Sequence, residues 1–388
     1  MKMSHKFPLA HDSWNHLEKE AIIQIVKDGY FTMNAKVKKF EEEFSNYIGS
    51  KYSIMVNSGS SANLLMVASL FYTKDETKRL KRGDEVIVPA VSWSTSYYPL
   101  YQYGLKIKFV DIDIATLNYD LKKLETAVSG KTKVILTVNL LGNPNNFTEI
   151  KKIIENKDIF IIEDNCESLG AEYENKKTGT IGLLGTFSFF FSHHISTMEG
   201  GMVVTDDKEL YHILLSLRAH GWTRQLPEDN LVTTKSKNSF NESFRFVLPG
   251  YNLRPLEMSG AIGSIQLKKL PGFVHQRRKN ADLFLNKMKE YDDLIVQKEI
   301  GKSSWFGFSI VIKDGSSRTR EDLINQLDSL GFESRPIVAG NFANNEVVKY
   351  FNSEIHDSLD NANLIDKNGL FIGNHHLDLK NAINSIKL

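Results

Sequence analysis

The chain has 388 residues, a formal net charge of +1, 41% hydrophobic and 24% charged residues, and one cysteine, Cys166. That length suggests two domains and a core that needs no disulfide or metal staple. The charge balance points to neither nucleic acid nor an anionic membrane, and one thiol can build neither an internal disulfide nor a four-thiolate cluster. The opening MKMSHKFPLAHDSW lacks the apolar stretch of a signal peptide, and no window approaches ~18 uninterrupted apolar residues. The expected location is the cytoplasm.

Short apolar runs at Ser53–Val56, Glu85–Val88, Ile107–Val110, Val134–Val138, Ile159–Ile162 and Met202–Thr205 alternate with helical patterns at Ala62–Tyr72, Leu121–Ala127 and Phe147–Ile154. This alternation predicts a mostly parallel α/β sheet, with ligands at the carboxyl ends of its strands. The pattern changes at Leu248–Pro255. Beyond it come a long helical stretch over about Leu256–Tyr291, interrupted at Pro271, a strand over Trp305–Ile312, a helix near Arg320–Leu330 and a strand-like Glu333–Val338. The expected division is a large α/β domain over residues 1–250 and a smaller α+β domain over residues 251–388.

Residues able to carry chemistry follow the runs. Val56-Asn57-Ser58-Gly59-Ser60-Ser61-Ala62 leaves a strand and opens a helix. Small residues there let backbone amides approach a phosphate, although a plain serine N-cap has the same pattern. Ile161-Ile162-Glu163-Asp164-Asn165-Cys166-Glu167 ends an isoleucine-rich strand in three acids. They are either solvated carboxylates or include a partner for a protonated ring nitrogen. Next, Thr186–Gly201 runs from an aromatic strand through His193-His194 to Glu199-Gly200-Gly201. Adjacent histidines project in different directions, so no metal site is expected; a packed and a solvated histidine, or a general acid–base, remain open. Trp93, His220, Arg224, Asn252 and Arg254 are, singly, more often packing or surface than site. His375-His376 lies in a polar tail and reads as surface.

In their order, the Ser-Gly-Ser-Ser-Ala turn, the Glu163-Asp164 strand end, Phe187-Ser188-Phe189, Glu199-Gly200-Gly201 and Tyr251-Asn252-Leu253-Arg254 resemble the sugar-nucleotide aminotransferase family of fold-type I pyridoxal-phosphate (PLP) enzymes. The resemblance covers nearly the whole chain and implies an aspartate-aminotransferase-like large domain. Members of that family place a Schiff-base lysine six residues before the Glu of Glu-Gly-Gly, and here that position is His193. Leu140–Phe147, Ser192-His193-His194 and Arg218–Arg224 are similar to a dehydratase branch that carries histidine there. That branch acts on GDP-linked 4-keto-6-deoxy sugars, in the biosynthesis of colitose for lipopolysaccharide O-antigens.

The resemblance implies a role for each matching residue. Gly59, Ser60 and Ser188 hold the PLP phosphate, Asp164 pairs with the pyridinium nitrogen, Trp93 stacks on the ring and Glu167 lies beside it. Asn252 reaches the phosphate from the neighbouring subunit, which implies a homodimer with shared sites. His220 and Arg254 seat glutamate, where an arginine fork suits a carboxylate. Gly29, Tyr30, Phe31, Thr32, Arg224 and Glu333 contact the nucleotide-sugar. The resemblance further implies that PLP is held without a covalent link. L-glutamate converts it to pyridoxamine 5'-phosphate and leaves as 2-oxoglutarate. His193 then moves the proton as the sugar's 3-hydroxyl departs. Water releases ammonia, so the net reaction is a 3-deoxygenation by a lyase rather than an amination. Three other readings stay open: an aminotransferase that dispenses with lysine, an iron–sulfur dehydratase of a CDP-linked sugar, which the single cysteine opposes, and a catalytically silent PLP-binding protein.

Overall fold

The apolar runs rich in valine and isoleucine form buried strands, as β-branched side chains favour. A computed structural model describes residues 5–388, so residues 1–4 of the amino-terminal MKMSHKFPLAHDSW segment lie outside it. In chain order the strands are β1 (Tyr52–Val56), β2 (Glu85–Pro89), β3 (Lys106–Val110), β4 (Thr132–Val138), β5 (Phe160–Asp164), β6 (Glu172–Tyr173), β7 (Lys176–Lys177), β8 (Leu184–Ser188), β9 (Gly201–Thr205), β10 (Leu294–Val296), β11 (Gly307–Ile312), β12 (Ser334–Arg335), β13 (Ser353–Ile355) and β14 (Gly369–Gly373). Eight of them form one sheet in the order β1-β9-β8-β5-β4-β2-β3-β13. From β13 to β8 all pairs are parallel, while β9 runs antiparallel to both β8 and β1. Strand β1 therefore points the same way as β8. The ends at Val56, Pro89, Val138, Asp164 and Ser188 share one edge, where open α/β sheets place their ligands.

A second, antiparallel sheet has the order β10-β11-β14-β12. Its core stacks Phe284 on Phe308 with ring centroids 4.3 Å apart. Strand β13, from the carboxyl-terminal third of the chain, returns to the edge of the large sheet beside β3. Among the described residues no helix is long and apolar enough to cross a membrane.

Three local expectations are corrected. The long helix does not break at Pro271; it runs unbroken from Glu257 to Met288. Its packing on the helix Ala35–Ile48 outweighs the cost of the proline, which sits on the exposed face. Gly260 makes that packing close, since a Cβ there would lie 2.6 Å from Val37 Cα. Glu257 joins the two helices by accepting the Asn34 and Lys36 amides, both at 2.6 Å. Second, the extended stretch at Glu333–Val338 is a strand only over Ser334–Arg335, and that at Trp305–Ile312 begins at Gly307, because Trp305 takes a left-handed φ of 49°.

Third, His375 is not surface but 3% exposed, with neither ring nitrogen partnered. Asn280 draws the tail inward by donating to the His375 and Leu377 carbonyls at 3.1 and 2.8 Å. The ring packs on His11 at 5.6 Å between centroids. Burial, with the Arg277 charge second, pushes its pKa down to about 3. The unfolded chain therefore takes up this proton near pH ~6.5 and the folded chain only near the lower value. Stability is full above the unfolded pKa and is lost as pH falls toward the folded one, by at most about 1.4 kcal/mol per pH unit for one such group. Replacing His375→Leu should flatten the fall of the urea midpoint between pH 6.5 and pH 4. An unchanged slope would contradict the buried neutral imidazole.

Candidate active site

The shared strand edge encloses a cavity of about 370 Å³. At the end of β1, Ser58 Oγ caps the helix Gly59–Ser69 by accepting the Ser61 amide at 3.1 Å. The first-turn amides of Gly59 and Ser60 have no partner within their helix, which suits an anion. Glycine is required at position 59, because a Cβ would lie 2.5 Å from Ser188 Cβ at the end of β8. Ser60 Oγ donates to Thr95 Oγ1 at 3.2 Å, and Trp93, 58% exposed, stands at the mouth.

Period two in β5 sends its acids to opposite faces. Glu163 turns away from the cavity, fully buried, and accepts the amides of Gly179, Ile181 and Gly182 at 2.6 to 2.7 Å. Burial pushes its pKa up and those amides oppose the shift. Asp164 faces the cavity, 5% exposed. Its Oδ2 accepts Asn63 Nδ2 and Ser96 Oγ, both at 2.7 Å, and its Oδ1 accepts the Cys166 amide at 3.1 Å. Among the described residues no cation pairs with it. Glu167 lines the cavity and accepts the Leu141 amide at 2.9 Å; burial pushes its pKa up to about 7.

Beyond β8 the chain turns through His193, whose amide donates to the Phe190 carbonyl at 2.9 Å. The His193 ring lines the cavity against Phe306, 5.3 Å between centroids, with Nδ1 buried and unpartnered. Burial, then the charge of Arg277, push its pKa down to about 4. The imidazole is therefore neutral near pH 7 and able to accept a proton. His194 points elsewhere: it is 2% exposed, with Nε2 3.1 Å from the Ser304 carbonyl. Among the described residues no lysine lines the cavity.

The remaining candidates lie outside the cavity lining. His220 takes a left-handed φ of 64° and donates its amide to the Tyr251 carbonyl at 2.6 Å. Asn252 is exposed, and its side-chain oxygen accepts Arg254 Nε at 3.0 Å. The Leu253 carbonyl accepts the Asn57 amide at 3.0 Å, which sets this loop beside the turn after β1. Arg224 stacks over Trp222, 4.6 Å from the ring centroid. Gly29, Tyr30 and Phe31 are exposed, and Thr32 bridges to Leu256. Glu333 accepts the Leu9 amide at 3.1 Å and holds Arg335 at 3.2 Å; Arg335 lines the cavity where Glu333 does not.

Sequence reasoning missed Asn63, Ser96, Phe306 and Arg335. Asn63 had a signal, a lone amide in the apolar helix that follows the Ser-Gly-Ser-Ser turn. Phe306 and Arg335 had none, because they reach the cavity from the second sheet. The arrangement fits a phosphorylated pyridinium cofactor. Free helix amides await an anion, and a buried carboxylate without a cation awaits a cationic N–H.

The chain matches the DegT/DnrJ/EryC1/StrS aminotransferase family over residues 13–382. It is 60% identical to GDP-4-keto-6-deoxy-D-mannose 3-dehydratase of Escherichia coli O55:H7, over 98% of each protein. The E. coli enzyme with bound hydrated PLP superposes with a TM-score of 0.96, covering 98% of both chains at 60% identity. A structure of GDP-4-keto-6-deoxymannose-3-dehydratase with a trapped PLP-glutamate geminal diamine also gives 0.96, at 58% identity, covering 98% of this chain and 100% of the other. With strand order, cavity and sequence in agreement, the chain belongs to the DegT/DnrJ/EryC1/StrS aminotransferase family.

Proposed function

We propose that this chain is a PLP- and glutamate-dependent 3-dehydratase. It converts GDP-4-keto-6-deoxy-D-mannose to GDP-4-keto-3,6-dideoxy-D-mannose, with release of 2-oxoglutarate and ammonia, in deoxysugar (colitose, O-antigen) biosynthesis. The carrying observation is a neutral imidazole, His193, on the wall of a cavity that no lysine lines among the described residues. The dehydratase name of relatives at 58% to 60% identity supports the substrate. A sugar nucleotide and glutamate as substrates fit a cytoplasmic enzyme.

When bound, PLP supplies an electron sink for the carbon next to the bond that breaks. The chain's own residues hold and protonate. Asp164, fixed by Asn63 and Ser96, accepts the ring N–H and keeps that nitrogen cationic. The Gly59 and Ser60 amides and the Ser188 hydroxyl take the phosphate, Trp93 covers a ring face, and Glu167 lies alongside. His193 accepts and returns the proton in both halves of the reaction. It forms no covalent link of the kind a lysine would, so the amine is lost to water as ammonia. Asn252 would reach the phosphate from the partner in a homodimer, with His220 and Arg254 seating glutamate. Gly29 to Thr32, Arg224 and Glu333 would contact the nucleotide-sugar. On this reading residues 1–250 form the cofactor domain. Residues 251–388 form the smaller domain, which closes the cavity with Phe306 and Arg335.

Two experiments test this reading. Incubation with GDP-4-keto-6-deoxy-D-mannose, PLP and glutamate should yield a product lighter by one oxygen atom, with equimolar ammonia and 2-oxoglutarate, and His193→Asn should lose about two to four orders of magnitude in rate. An amino sugar as product would instead make the protein an aminotransferase. In the second, Asp164→Asn should unfold at a similar urea concentration without cofactor yet bind PLP about tenfold or more weakly, by spectral titration. Asp164→Ala should cost about 1–3 kcal/mol of stability, because two buried donors lose their acceptor. Undiminished PLP affinity in Asp164→Asn would rule out the pyridinium pairing.

A further inference from the structure

Behind His193 lies a buried cation that the proposed reaction does not use. Arg277, on the helix Glu257–Met288, is 4% exposed and has no carboxylate partner among the described residues. Its Nη1 donates to the carbonyls of Trp305 at 3.3 Å, of Phe306 at 3.0 Å and of Asn374. Asn374 Nδ2 donates back to the Arg277 carbonyl at 3.1 Å and to that of Trp305 at 2.8 Å, and Asn280 braces the Asn374 side chain at 3.1 Å. This knot grips the strap 304–306, where Trp305 holds its left-handed φ of 49°. The strap carries Phe306, the residue against the His193 ring, and the Phe306 amide donates to the Leu141 carbonyl at 2.9 Å. A neutral amide could brace the same carbonyls without the desolvation that a guanidinium suffers there. The charge therefore needs its own account.

We propose, on the reading of His193 as proton acceptor, that Arg277 is its positioning residue: the guanidinium clamps the strap so that Phe306 fixes the imidazole, and its charge opposes a second positive charge on that ring. Several other charged or titratable groups surround the imidazole. Asp164, Glu167 and Glu199 line the cavity with it, Arg335 enters from β12, and His194 adjoins it. After burial, the Arg277 charge is the cause that holds His193 down, and the same pair of causes leads at His194. Burial lowers the pKa of Arg277 itself to about 9, so it stays cationic at neutral pH.

The test uses the full-length protein. NMR titration without cofactor follows the His193 ring, identified by its loss in His193→Asn; with PLP bound, absorbance follows the glutamate-driven step against pH. Arg277→Met should raise the His193 midpoint by about one pH unit and slow the step about tenfold or more, most strongly below about pH 5. Arg277→Lys keeps the charge and should leave the midpoint near the wild-type value, while the loosened strap still slows the step. If Arg277→Met does not fold, Arg277→Lys and Phe306→Leu carry the test, and wild-type rates in both overturn the proposal. A wild-type midpoint in folded Arg277→Met overturns it as well. Full turnover by His193→Asn would instead remove the acceptor role of His193, a different result, because the titration reads Arg277 independently of turnover.

Discussion

Asp164 sits 5% exposed at the carboxyl end of β5, where an ionised carboxylate is costly unless each oxygen is matched. Asn63, Ser96 and the Cys166 amide match it with neutral donors, and among the described residues no cation is supplied. The surrounding structure follows from that constraint. The helix after β1 must bring Asn63 inward, so it must start close to β8, and only glycine at position 59 allows the approach. Its first-turn amides are thereby aimed at the same cavity. A negative base with no cation and a positive rim of amides together describe a slot for a molecule with a cationic ring nitrogen and an anionic phosphate.

Desolvation acts on Glu167 and His193 in one sense. It pushes Glu167 up to about 7 and His193 down to about 4, so both favour their neutral forms. The resemblance to the family's aminotransferases implies a lysine at this position, which can both move protons and bond covalently. An imidazole there keeps the first ability and lacks the second. On the proposed reading, this side chain is where removing a hydroxyl parts from transferring an amine.

The second sheet reaches the cavity through strained backbone. Leu141 and Trp305 both hold left-handed conformations, with φ of 52° and 49°, and their segments are tied by the Phe306 amide to the Leu141 carbonyl and the Ser304 amide to the Gly142 carbonyl, each at 2.9 Å. Strain of this kind persists only where the surroundings over-determine it. Here the surroundings are the Arg277–Asn374–Asn280 knot on one side and the close approach of Gly142 on the other, where a Cβ would lie 2.5 Å from the Trp305 nitrogen.

The sequence by itself determined the positions of β1 to β5 and β9, the turn that follows β1 and the identity of residue 193. Each depends on neighbours along the chain: β-branched runs, a Ser-Gly-Ser-Ser turn after one of them, and a fixed spacing to Glu199-Gly200-Gly201. The resemblance singled out Asp164, but only the tertiary structure decided, physically, why that acid and not Glu163 faces the cavity. Strand pleating separates Glu163 from Asp164, but only the packing of residues 179–182 shows which side is which. Tertiary packing likewise carried the helix through Pro271, buried His375 and brought Phe306, Arg335 and Arg277 to the site. These residues lie more than 80 positions from His193 and answer to contacts between distant segments. Local propensity and spacing do not encode such contacts, because their energy exists only once both surfaces have folded and lost water together.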